Sequence, residues 1–471
     1  MTERNPFVSS SVSRVEEYDL SVELQSIHTT PNVVHTSNGK TQVETVSVVE
    51  DIGPLSFTNP PKNLFRIITS LIWAFGLGLS DGSVGVLLNY IEIQYRISYS
   101  VASILWLSNA LGFIIVALLS DVIQKRLGRK SIFLGCLSSI MMYTLVSTGS
   151  KYPVVVIGFF FGGVGAGICV AQYNVFIGRL EKSSTALGYL HGCYGLGASV
   201  APLIATAFVE AGIKWNFFYL VVLGVFLISA VNTYISFVHG EDDLKPWDDE
   251  QQPQQPQTSE AKQPGLMKEA LKTKVTWFSS LFVFFYQGAE VAFGGWITTY
   301  LRDYRHHTNA SIGYVASGYW FGLTFGRLVL TRLIHKLLGA RRGNCILITL
   351  SMLFALLTWV ISSFPIEIVT ITLSGIMIGP VYPLMISYIV SDDLIPRKIA
   401  VISVTVTTAF GSSGGALIPF LVGLISQFVG AYVVLPSFIV TFFFTLCLWI
   451  LLPNTRYTKG TGKVDIFKRI W

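Results

Sequence analysis

The sequence predicts an all-α membrane protein, with twelve transmembrane helices in two pseudo-symmetric six-helix bundles. Three observations carry that prediction. Apolar runs of spanning length recur twelve times, and a helix needs about 20 such residues to cross the hydrocarbon. Lys and Arg crowd the loops of one side, 22 against 5 on the other, as orientation signals do. Landmarks of the first half return in the second half in the same order.

Composition agrees. The chain has 471 residues, 51% apolar and 13% charged, with a mean hydropathy of +0.57. A soluble domain carries roughly 25% charged residues. The net charge of +6 is spread over short loops, not gathered in one stripe, which argues against a nucleic-acid partner. The five cysteines lie in apolar segments without metal-ligand spacing and read as packing residues. No nucleophile, metal cluster or nucleotide loop stands at a usable spacing. An enzyme is therefore the least expected class, and no cofactor is called for.

Residues 1–65 are polar, rich in Ser, Thr and Val, and lack a helical apolar period. They read as a disordered cytosolic tail without a cleavable signal. The first six spans are 66–90, 100–120, 131–149, 153–178, 184–210 and 215–238, forming an N-terminal bundle over 66–238. The segment 239–274 contains EDDLKPWDDEQQPQQPQ, which can neither cross lipid nor build a core, and reads as a cytosolic linker. The second six spans are 275–300, 311–331, 344–364, 366–391, 398–422 and 431–452, a C-terminal bundle over 275–452. Residues 453–471 form a second cytosolic tail. The basic excess and the even span number put both termini in the cytosol. The sequon at Asn309 falls on the opposite side.

The repeat is specific in two places. Asp81 is followed by Gly85, Tyr90 and Tyr95-Arg96; Glu290 is followed by Gly294, Tyr300 and Tyr304-Arg305. GASVAPL at 197–203 pairs with GGALIPF at 414–420. A duplicated six-helix unit is an architecture of secondary transporters.

Four ionisable residues read as internal to the spans: Asp81, His191, Glu290 and Arg327. Such residues are costly in lipid and usually face water or a partner. Asp81 and Glu290 become candidate proton-coupling residues, because alternating environments can load and unload a carboxylate. The competing reading of Asp81 is a helix-kink cap beside Gly82. Candidate solute contacts are His191, Gln172, Asn174, Tyr194, Gln287, Trp296 and Trp320. Rings with amides and hydroxyls suit a sugar, though the same aromatics are more often packing. Arg327, one turn from its helix end, reads as structural. The glycines of 163–170 and 195–199 read as helix-packing sites.

Twelve spans around a long central loop resemble the major facilitator superfamily. The loop DVIQKRLGRKS at 121–131 is similar to that superfamily's gating motif, with Asp121, Arg126 and Arg129 as gating or structural residues. It departs from the pattern, because Asp121 stands one helical turn too far from Arg126. GLSDGSVGVLL at 78–88, GYLHGCYGLGASVAPLIAT at 188–206, GAEVAFGGWITTYL at 288–301, GYWFGLTFGR at 318–327 and GIMIGPVYP at 375–383 resemble the fungal branch related to fucose permeases, the fucose–galactose–glucose proton symporters. That resemblance implies a central cavity, alternating access and proton-driven sugar uptake, with Asp81 at the helix 1 acid. Val170 stands where bacterial members carry a helix 4 acid, and His191 where they carry a glutamine.

The expected function is secondary transport of a small polar solute, a sugar by this resemblance, with protons. A monomer in the plasma membrane or an internal membrane such as vacuole or Golgi is expected. The alternatives are a proton antiporter or facilitator exporting another metabolite, and a non-transporting membrane sensor.

Overall fold

The computed structural model describes residues 33–37, 40–44, 55–239, 244, 264–307, 311–391 and 394–453. Residues 1–52 and 53–471 are separate units. In the first, β1 (Val33–Ser37) pairs antiparallel with β2 (Lys40–Glu44), Val33 opposite Glu44. A hairpin therefore occupies part of the stretch read as a disordered tail. The alternation VVHTS and KTQVE is strand-like, and its shortness hid it among polar residues.

The second unit is helical. Its spans are α1 (Asn63–Tyr95), α2 (Ile104–Leu127), α3 (Lys130–Ser147), α4 (Tyr152–Gly178), α5 (Ser183–Glu210) and α6 (Phe218–Thr233). They continue with α7 (Lys274–Thr299), α8 (starting with Ile312–Phe325), α9 (340–360), α10 (Phe364–Ile378 and Val381–Ser391), α11 (Arg397–Val429) and α12 (Val434–Leu451). Helices satisfy their own backbone polar groups, which hydrocarbon cannot do. That is why apolar length alone located them.

Three boundaries differ from expectation. The loop expected at 332–343 is helical, and α8 and α9 are separated only at Gly339, whose φ of +74° breaks the helix. The span expected at 366–391 breaks at Gly379-Pro380, because proline cannot continue the ladder. The end of the linker forms a short helix, Pro264–Lys272, that packs on α11.

Neighbour relations repeat with an offset of six helices. In the first bundle α1 packs on α5, α2 on α4, and α3 on α4 and α6; in the second α7 packs on α11, α8 on α10, and α9 on α10 and α12. Close backbone approach makes these contacts. A Cβ placed on Gly197 would lie 2.1 Å from the Phe75 carbonyl oxygen, and one on Gly414 would lie 2.0 Å from that of Phe284. Phe75 precedes Asp81 by the same interval as Phe284 precedes Glu290. The two halves thus share an atomic contact as well as a residue pattern.

The bundles meet through α5 with α8, α2 with α11, and α1 with α7. At the last contact the counterpart glycines touch. A Cβ on Gly85 would lie 2.3 Å from the Gly294 carbonyl oxygen.

Gly197→Ala and Gly414→Ala are expected to loosen equivalent crossings. Each should cost about 1–3 kcal/mol, the usual range for overpacking. Thermal unfolding in detergent should show similar downward shifts for both, with Gly224→Ala, where a Cβ meets nothing within 4 Å, as the unaffected control.

Candidate functional site

The two acids of the repeat sit one helical turn before the Gly85–Gly294 contact, so they lie just beneath the place where α1 and α7 close together. Their surroundings differ. Asp81 has an exposed side chain and accepts a 2.9 Å hydrogen bond from Tyr194 Oη of α5. No cation pairs with it among the described residues. Glu290 is 5% exposed and accepts 2.8 and 2.7 Å hydrogen bonds from Arg327 Nη2 of α8. Arg327 also approaches Tyr286 Oη at 3.3 Å, and Tyr319 Oη donates to the Glu290 carbonyl oxygen at 3.0 Å.

Tyr194 lies within electrostatic reach of Asp81, Glu290 and Arg327. His191, exposed and one turn earlier on α5, lies within reach of Arg327. Tyr382 of α10 lies within reach of Arg327 and Glu290. The Asp81–Tyr194 and Glu290–Arg327 pairs, from four helices of both bundles, form one polar cluster where α5 packs on α8, with Gly195 against Thr324 and Gly192 near Leu328. Arg327 belongs to it as the partner of Glu290. Sequence missed that pairing because it depends on the rotational phase of α7 against α8. Its helical environment is unusual too: residues 326–330 form a π-helical turn.

Other sequence candidates fall elsewhere. Gln172 donates to the Gln124 side chain of α2, and Asn174 donates to its own helix at Val170 O, 2.8 Å. Trp296 is fully buried, donates to Pro419 O at 3.0 Å, and packs on Trp106 and Tyr99. It is part of a plug rather than a solute wall. Gln287 rests against Gly411 and Gly415 of α11. Trp320 is 3% exposed and its ring covers Gly294. At the junction of α2 and α3, Arg126 is exposed in the last turn of α2, Gly128 makes the turn with φ +50°, and Arg129 is half-buried just before α3. The Asp121 side chain and Asn309 lie outside the described residues.

Two further arginines are internal and escaped the sequence census. Arg66, fully buried, donates to Ser236 O at 3.0 Å and Asn63 Oδ1 at 2.9 Å. Arg341, 7% exposed, donates to Ile450 O at 3.0 Å and Tyr388 Oη at 3.3 Å. Both tie helix ends together by satisfying carbonyls, which is how a buried charge is tolerated.

Beyond the glycine contact, four polar links join the bundles toward the face opposite the start of α1 and the end of α12. Thr298 donates to Gly85 O at 2.6 Å, Tyr314 donates to Glu210 at 2.8 Å, Arg302 lies 3.5 Å from Glu92, and Tyr99 donates to Asp303. Arg302 also binds Asp303. Burial pushes the Asp303 carboxyl up, but the hydrogen bonds from Arg302 and Tyr99 and the Arg302 charge outweigh it, and the group is held below its ordinary value. Nearby, Arg305 Nε lies 2.9 Å from the fully buried Glu367, which also meets His307 at 2.9 Å. These links hold the two bundles closed against each other on this face.

The family model described as Major Facilitator Superfamily matches residues 71–391. The chain belongs to the Major Facilitator Superfamily. It is accordingly a multi-pass membrane protein and a transporter. A curated relative, Bypass of stop codon protein 6 of Saccharomyces cerevisiae (strain ATCC 204508 / S288c), is 28% identical over 433 residues, 86% of each chain. Two solved structures of a bacterial homolog to the human lysosomal transporter Spinster share the superfamily fold. The inward-facing and occupied form has TM-score 0.62 and 13% identity, covering 83% of this chain and 97% of that one. The inward-facing and unoccupied form has TM-score 0.62 and 15% identity, covering 88% and 99%.

Within this superfamily fold the Arg327–Glu290 pair should behave as a buried ion pair. Arg327→Gln leaves a buried carboxylate without its partner and should cost about 3–5 kcal/mol. The double variant Glu290→Gln with Arg327→Gln should recover much of that loss, as unfolding in a double-mutant cycle would show.

The seal has its own expected acid dependence. A carboxyl held low stabilises its contacts above the ordinary value of 3.8 and loses them as pH falls through its lowered one. Asp303→Asn should mimic the acid state near neutrality. Faster amide exchange over residues 96–106 is the expected readout; exchange equal to the parent would remove Asp303 from the seal.

Proposed function

We propose that this transporter is a proton-coupled secondary carrier of a small polar solute of sugar size, working by alternating access. The observation that carries the coupling is Asp81. Its carboxylate sits mid-span, exposed, with a tyrosine hydroxyl as partner and no cation among the described residues. A carboxylate held this way can take and release a proton without first breaking an ion pair. Glu290 differs, because Arg327 neutralises it.

With the termini in the cytosol, as the basic loops favour, the sealed face is the extracytosolic one. The arrangement then corresponds to a carrier open toward the cytosol. Rocking of the bundles about the Gly85–Gly294 contact would break the Glu92–Arg302 and Tyr99–Asp303 links and expose the cluster to the other side. Tyr194, His191, Arg327 and Tyr382 are the solute-facing groups this geometry favours. A sugar is supported by the mixture of rings, hydroxyls and an imidazole, and by the fucose-permease resemblance. The membrane is the plasma membrane or an internal one, and the unit is a monomer.

The test is uptake into sealed vesicles holding the purified full chain, with hexoses as probes and an imposed pH gradient. The parent should show at least tenfold faster uptake with the gradient than without it. Asp81→Asn should lose that stimulation while retaining exchange of solute across the membrane. Uptake indifferent to the gradient in the parent, or stimulation surviving in Asp81→Asn, would remove the coupling role.

A further inference from the structure

Arg327 is only partly engaged. One nitrogen, Nη2, contacts both oxygens of Glu290 and approaches Tyr286. Its Nε is buried and has no acceptor among the described residues. A guanidinium normally meets a carboxylate with two parallel N–H bonds, so this contact leaves one side of the fork unused. Trp320 lies two turns earlier on the same face of α8, about 10 Å away along the helix. Its Nε1 is also buried without an acceptor, in a side chain 3% exposed. Buried donors without acceptors are rare and mark a missing group. Both missing groups here must be acceptors.

We propose that the transported solute is an organic acid of sugar size, whose carboxylate takes the fork of Arg327 and displaces Glu290, and whose hydroxyl or carbonyl oxygens reach toward Trp320. This rests on the transporter reading above and does not depend on Asp81 being the proton site. The charge balance gives a second consequence. In the structure one guanidinium pairs with one carboxylate. When the solute arrives, two carboxylates face one cation at a site where Glu290 is 5% exposed and the Arg327 Nε is buried, and both cannot stay ionised. Glu290 takes a proton from water as it leaves Arg327, and the proton returns when the solute leaves. Solute binding and proton uptake are then one equilibrium.

The groups around Glu290 allow this. Tyr286 stands on α7 itself, Tyr319 and Arg327 come from α8, Tyr194 and His191 from α5, Tyr382 from α10 and Asp81 from α1. The packed helices α11, beyond Lys398, and α12, apart from Cys447, carry no ionisable side chain. Arg327 is therefore the cation the two carboxylates contest.

The experiment is calorimetric titration of the full chain in detergent with three matched pairs: D-glucuronate and D-glucose, D-galacturonate and D-galactose, lactate and glycerol. Two buffers of different ionisation heat report the protons exchanged. At least one acid should bind tenfold or more tightly than its neutral counterpart, taking up one proton. Glu290→Gln should bind that acid at least as tightly with no proton uptake, and Arg327→Gln should lose the preference. The double variant, with no unpaired charge, controls for folding and should also lack the preference. The proposal is overturned if no acid outbinds its neutral counterpart, or if the preference survives in Arg327→Gln. A gradient-driven hexose flux that still requires Asp81 would leave the carrier reading standing in that case.

Discussion

The contact on which the rest depends is the touching of α1 and α7 at Gly85 and Gly294. Two backbones meet there with no room for a side chain. In lipid there is no hydrophobic force between helices, so close van der Waals approach and polar links must hold the bundles. This contact fixes the depth of everything nearby. One turn toward the termini come Asp81 and Glu290, at equivalent places in the duplicated unit. In the other direction come the Trp106–Trp296 plug, two residues past Gly294, and, a turn or more on, Thr298, Glu92 and Arg302. The acids therefore lie at the bottom of whatever space opens from the terminal face.

Duplication made two equivalent slots, and the partners made them unequal. Asp81 meets a neutral hydroxyl; Glu290 meets a guanidinium. The difference comes from α5 and α8, not from α1 and α7. A related exchange appears one turn earlier. Gly78 of α1 lies under the Tyr194 backbone, whereas in the second bundle Gln287 of α7 lies over Gly411 of α11. The bulky group comes from the fifth helix in one bundle and from the first in the other. Such trades keep the helix crossings close while giving the two bundles different side chains at equivalent places.

Much of this was legible in the sequence. Spans follow from apolar length, because lipid forces helices on any segment that crosses it. The repeat was readable because an acid inside a span is rare and the glycine–proline spacing is uncommon; the Phe75–Gly197 and Phe284–Gly414 contacts give it atomic form. Pairing was not legible. Whether Arg327 snorkels or turns inward depends on how α8 is rotated, and composition holds no such angle. Trp296 shows the same limit, because the same indole could line a chamber or donate to Pro419 O. Arg66 and Arg341 sit near helix ends, where sequence reading puts charges in water; their burial follows from neighbouring carbonyls that only the fold brings close.

The asymmetry of the acids has a consequence for how a carrier of this design avoids leaking protons. An unpaired carboxylate in a chamber that alternates between faces would carry protons without solute. Glu290 cannot do so while Arg327 holds it, because releasing it leaves a buried cation unpaired, a costly state. Asp81 has no such restraint beyond the Tyr194 hydrogen bond and its place under the α1–α7 contact. Under the proton coupling proposed above, tight coupling needs the change between open faces to be sensitive to charge near Asp81. Tyr194 is placed to provide that, since it bonds Asp81 and lies within the field of Glu290 and Arg327. One side chain thus connects the free acid to the paired one.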